Sequence, residues 1–275
     1  MENDAEMPIN LGIQKAMFKI FNNESEWDIF QNFIKVDRLS YVKSKKELEL
    51  LKKVKSASWT DNTENRPDFL SDDIMIEMFE IDDIVTTKKG RNHPQREADA
   101  RALRNVQNKF KWAKDVPKII VHGDPRNNPG KKGIPSEKSK IDHNYEAYVN
   151  NFTRICEKHL NSLKSYKNNY PDKKLGFLII DGSSMYLPKY KLPYVSMKDA
   201  FFCLPFYDKN LMKLIVKSNV DFIIWAFDNK YIHTEDDLRG QNSVLPDVVL
   251  ITKDNYYKKK YSKYFDVNTM ISLEK

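Results

Sequence analysis

Apolar positions recur at three- and four-residue steps through the first fifth of the chain and in shorter, denser runs beyond it. Ile13, Met17, Ile20 and Phe21 fall on one helical stripe. Trp27, Phe30, Phe33 and Ile34 fall on a second, with Asn23 or Ser25 placed to cap it. A third helix is predicted from Ser44, which stands three residues before Glu47 at capping-box spacing, ahead of Leu48, Leu51 and Val54. Phe69-Leu70 and residues 74–81 then read as two extended runs joined by the polar turn Ser71-Asp72-Asp73, which predicts a hairpin. In the second run Ile74, Ile76 and Met78 alternate with Met75, Glu77 and Phe79, so the strand is expected to be buried on both faces.

Downstream, residues 95–110 carry an irregular helical stripe of Ala98, Leu103, Val106 and Phe110, and residues 116–122 read as a strand. Residues 123–142 form a long connection rich in Pro, Gly, Asn and Lys. Its Gly130-Lys131-Lys132-Gly133 is not a phosphate loop, because the glycine spacing is too wide and Lys132 stands where a magnesium-binding hydroxyl belongs. Residues 144–165 are the longest helical stretch, with Tyr148, Phe152, Ile155, His159, Leu160 and Leu163 on one face, read as core. Residues 175–180, 221–227 and 247–252 read as strands, the first two buried, and residues 210–217 and 254–264 as helices. Strands separated by helices predict an α/β fold: a mixed central sheet flanked by helices, with a helical N-terminal segment (1–60) leaning on an α/β core (61–275).

Composition narrows the class. At 40% hydrophobic and 12% aromatic, the 275 residues can bury a core. Lys plus Arg number 46 against 39 Asp plus Glu, a net charge of +7 that favours a polyanionic partner such as nucleic acid. Cys156 and Cys203 form no CxxC pair and cannot build a zinc site alone, so free thiols in a reducing compartment are expected. The first ten residues are acidic and lack an apolar leader core, and no apolar run approaches a membrane span. A cytoplasmic location without membrane contact is therefore the expectation. The five histidines show no HExxH spacing and are read as surface or core residues. Neither GxSxG nor GxGxxG occurs.

Two carboxylate sets compete for the chemistry. Asp68 and Glu77, nine residues apart, can meet on adjacent strands of the hairpin and share a divalent cation. The Met78 carbonyl is a third oxygen in reach, and Glu80, Asp82 and Asp83 follow closely, although Glu80 points to the opposite face from Glu77. The second set is Asp124, Asp181 and Asp228, each at or just beyond the C-terminal end of a predicted strand, where ligands gather in open parallel sheets and three acids could bind metal, as in PIN-like or other α/β phosphoesterases. Asp is also common at such exits because it caps turns.

Pro67-Asp68, then a hairpin turn, then an acid on a hydrophobic strand, Glu77, resembles the motif of the PD-(D/E)XK nuclease superfamily over roughly residues 52–121. The resemblance implies a restriction-endonuclease-like core and metal-dependent cleavage of nucleic-acid phosphodiesters. Asp68 and Glu77 would then hold Mg²⁺. The family's lysine falls two residues after the second acid, where this chain has Phe79, so Lys88 or Lys89 would have to take its part. Glu47 or Glu49 on the preceding helix, and Gln95 or Glu97 on the following one, are further candidates by the same resemblance. The missing lysine motivates an alternative: a non-catalytic protein on a degenerate nuclease-like fold that sequesters a protein or nucleic-acid partner, for example in host–virus conflict.

Overall fold

A computed structural model describes residues 8–9, 25–35, 40–83, 144–183, 186–188, 204–227, 248–256 and 264–272. Their strands are β1 (Pro8–Ile9), β2 (Ser40–Tyr41), β3 (Thr60–Asp61), β4 (Phe69–Leu70), β5 (Ile74–Ile81), β6 (Lys174–Asp181), β7 (Tyr186–Pro188), β8 (Phe222–Phe227), β9 (Val248–Thr252) and β10 (Met270–Ser272). The helices are α1 (Glu26–Lys35), α2 (Lys45–Ser56), α3 (Tyr145–Leu160), α4 (Leu163–Asn169) and α5 (Lys209–Val216). Eight strands form one mixed sheet in the order β1-β2-β9-β8-β6-β5-β4-β3, and β7 and β10 pair separately. The central trio β5, β6 and β8 is parallel, while β4 and β9 run antiparallel to their neighbours β5 and β8. The chain is thus α/β with a mixed sheet flanked by helices.

Alternation along the strands splits the interior into two cores. Ile74, Ile76 and Met78 of β5 face Phe30, Phe33, Leu51 and Val54 of α1 and α2. Met75, Phe79 and Ile81 face the other way, toward Tyr148, Phe152 and Cys156 of α3, Tyr166 of α4 and Leu211 of α5. Helices α1 and α2 therefore cover one sheet face, and β1 and β2 from the same N-terminal stretch also enter the sheet. Side chains on both faces explain why β5 reads as a nearly continuous apolar run.

The caps follow the sequence. The Ser25 hydroxyl accepts from the Asp28 amide at 3.1 Å and opens α1; the Ser44 hydroxyl accepts from the Glu47 amide at 3.2 Å and opens α2. The helix expected over 144–165 is divided at Asn161-Ser162 into α3 and α4, with the Asn144 side chain accepting from the Ala147 amide at its start. Of the helix expected over 254–264, the described part is a 3₁₀ turn, Lys253–Asn255, and Tyr264 is not helical. The expected elements at 11–21, 95–110 and 116–122 and the loop at 123–142 lie outside the described residues. No described helix is long and apolar enough to cross a membrane.

Candidate acid-pair site on the β4–β5 hairpin

The hairpin sets the geometry. Phe69 pairs with Ile76 and Leu70 with Met75, so the next step of the same register places Asp68 opposite Glu77. Phe69 belongs to the α1–α2 core, which leaves Asp68 on the face shared by Glu77 and Phe79. Asp68 is anchored at two points. Its Oδ2 accepts from the Met78 amide at 2.7 Å, and its carbonyl accepts from the Asn62 amide at 2.7 Å. The Asn62 side chain donates to the Pro67 carbonyl at 2.6 Å, and the Arg66–Pro67 bond is cis.

Both acids are buried, Asp68 at 8% exposure and Glu77 at 1%. Two carboxylates facing each other out of water cannot both ionise freely. Burial and then the negative charge of Glu77 push the Asp68 carboxyl up to about 8, against the opposing pull of the Met78 amide and the Arg66 guanidinium. Glu77 is fixed through its other neighbour: Oε1 lies 2.7 Å from His159 Nδ1. The roles in that bond follow the tautomer of the imidazole, and Nδ1 is the donor where the carboxylate accepts. Glu77 Oε2 is buried with no hydrogen-bond partner.

The end of α3 and the start of α4 complete the surroundings. The Tyr166 hydroxyl is buried and meets no strict hydrogen-bond geometry, yet burial, then the charge of Glu77 and its hydrogen bonding to that acid, push the Tyr166 pKa up. Arg66 is exposed at the rim, donates to the Ser162 hydroxyl at 3.3 Å and acts electrostatically on both acids. The position at which the resemblance expects lysine is filled by Phe79, whose ring stacks on His159 with centroids 4.6 Å apart and planes 11° from parallel. Lys88, Lys89, Gln95 and Glu97 lie outside the described residues.

The helix acids play other parts. Glu47 is fully buried. Its Oε1 accepts from the Thr252 amide, the Thr252 hydroxyl and the Asn255 side chain, and its Oε2 from the Lys43 amide. It ties α2 to the end of β9. Because α2 packs on the sheet face opposite Glu77, Glu47 cannot join the hairpin acids. Glu49 is exposed on α2, and Glu80, also exposed, points away from Glu77 as expected.

Of the second carboxylate set, Asp124 and Asp228 lie outside the described residues. Asp181, at the end of β6, is enclosed by donors: the Tyr148 hydroxyl and Trp225 Nε1, both at 2.8 Å, reach Oδ2, and the Ser183 amide and hydroxyl reach Oδ1. Those bonds hold the Asp181 carboxylate in place at the end of β6.

Asp68 and Glu77 repel each other, and Glu77 Oε2 is a buried oxygen that meets no strict hydrogen-bond geometry, with the Tyr166 hydroxyl as an interacting neighbour of the acid. Among the described residues, no group of three or more His, Cys, Asp and Glu side chains is placed to hold a metal ion. Magnesium tolerates so small a protein set, because it keeps most of its waters. His159, Tyr166 and Arg66 were missed by sequence reasoning. The one available signal was His159 lying on the same stripe as Tyr148 and Phe152, which marks burial and not its partner. No family model, curated protein or solved structure matches the chain.

Proposed function

We propose that the protein is a metal-dependent, nuclease-like phosphodiesterase acting on nucleic acid through the Asp68–Glu77 pair. The observation that carries this reading is a buried pair of interacting carboxylates on adjacent segments of the hairpin, one with an oxygen that meets no strict hydrogen-bond geometry. Asp68 and Glu77 would hold Mg²⁺, which when bound supplies charge stabilisation at the scissile phosphate and a more acidic water. The Met78 amide fixes which Asp68 oxygen is committed to the backbone and leaves Oδ1 as its ligand atom. Arg66 at the rim offers a cation to a backbone phosphate, in keeping with the net charge of +7. The task of the missing lysine would pass to Lys88 or Lys89. The test is cleavage of single- and double-stranded DNA and RNA with Mg²⁺ or Mn²⁺. Activity lost in both Asp68→Ala and Glu77→Ala is expected, and no cleavage of any substrate by the intact chain would end the enzymatic reading.

One observation favours a second reading, a non-catalytic binding protein on a related fold. Phe79 and His159 stack where the resemblance expects a lysine. Binding of nucleic acid or a protein partner that survives Asp68→Ala, without cleavage by the intact chain, would favour it.

A further inference from the structure

The ring of His159 is held on two sides. Phe79 stacks on its plane, and its Nδ1 is bonded to Glu77 Oε1 at 2.7 Å. The bond is buried, with the two side chains 10% and 2% exposed, and joins residues 82 positions apart. Its geometric consequence falls on Glu77. With Oε1 engaged, the carboxylate cannot rotate without breaking a buried hydrogen bond, and Oε2 is the atom left with no partner. The buried Tyr166 hydroxyl meets no strict hydrogen-bond geometry but interacts with the Glu77 carboxylate from the α4 side.

We propose that His159 is a positioning residue that presents Glu77 Oε2 to a divalent cation, and that Phe79 is there to hold the His159 ring. This rests on the cation reading given above and assigns a role to Phe79: at the lysine's position the chain carries part of the support for the acid. Hydrogen bonds behind a metal-binding side chain orient it and raise its affinity, and their loss typically weakens metal binding about 10- to 100-fold.

The experiment measures Mn²⁺ binding by calorimetry in the full chain, with no substrate present. Four proteins are compared: the unaltered chain, His159→Ala, His159→Asn and Glu77→Gln. Asn places an amide N–H close to where Nδ1 sits, so it can keep the bond to Oε1, whereas Ala cannot. The expected result is binding by the unaltered chain, retained within about 3-fold in His159→Asn, weakened about 10- to 100-fold in His159→Ala and abolished in Glu77→Gln. If His159→Ala does not fold, Phe79→Leu replaces it, since it removes the stack and leaves both polar partners; a drop in affinity is again expected. Binding that is equally tight in the unaltered chain and in His159→Ala or Phe79→Leu overturns the inference while the cation site stands. No Mn²⁺ binding by the unaltered, folded chain overturns the site and the inference together.

Discussion

Asp68 lies directly across from Glu77 on the β4–β5 hairpin, and the Met78 amide next to Glu77 donates to Asp68 Oδ2 at 2.7 Å. The same strand thus repels the Asp68 carboxylate through one residue and binds it through the next. Repulsion and burial prevail, which is why the Asp68 carboxyl is pushed up to about 8.

That relationship sets a pH dependence. Asp68 keeps its proton in the folded chain up to about pH 8 but loses it near its ordinary value of 3.8 when unfolded. Between those limits the folded state binds more protons, so the contribution of this group to stability falls as pH rises from about 4 through about 8. Asp68→Asn keeps an acceptor for the Met78 amide and removes the charge beside Glu77. It is expected to stabilise the cation-free chain by about 2 kcal/mol at pH 9 and to have little effect at pH 4. Urea unfolding of both proteins at several pH values would show it; a difference independent of pH would rule out this coupling.

A cation bound between the acids should reverse the penalty. At 100 times its dissociation constant, Mn²⁺ is expected to raise unfolding free energy by about 2.7 kcal/mol. Glu77→Gln should remove that increment while Asp181→Asn keeps it, because the Asp181 oxygens are already engaged by Tyr148, Trp225 and Ser183. Chemical unfolding with and without Mn²⁺ is the measurement.

Glu47→Ala tests the role found for the α2 acid. Four donors, from Lys43, Thr252 and Asn255, would lose a buried acceptor. A loss of about 3 kcal/mol is expected, with Mn²⁺ affinity unchanged in the protein that still folds. A change in affinity without a change in stability would place Glu47 at the cation site after all.

Gly176 pairs with Phe222 between β6 and β8, and a Cβ there would fall 2.2 Å from Phe222 Cζ. Phe222 is fully buried, so the ring has little room to withdraw. Gly176→Ala is expected to lose about 2 kcal/mol by overpacking, read from the urea midpoint. Phe222→Leu in the same background should recover part of it.

Local order determined what could be read from the chain by itself. The hairpin, the dense strands β5, β6 and β8, the Ser25 and Ser44 caps and the α/β class all follow from spacing within a dozen residues, where turn chemistry and side-chain period act directly. Asp68 and Glu77 were legible for the same reason, since the register of a short hairpin is set by its turn. Tertiary packing decided the rest. That Glu77 is held by His159, that Phe79 stacks on that histidine, and that Glu47 reaches Thr252 are contacts across 80 to 205 positions. No local pattern encodes which helix face meets which strand. A buried histidine and a buried glutamate each look like ordinary residues until the sheet order and the packing of α3 and α2 on opposite faces bring their partners to them.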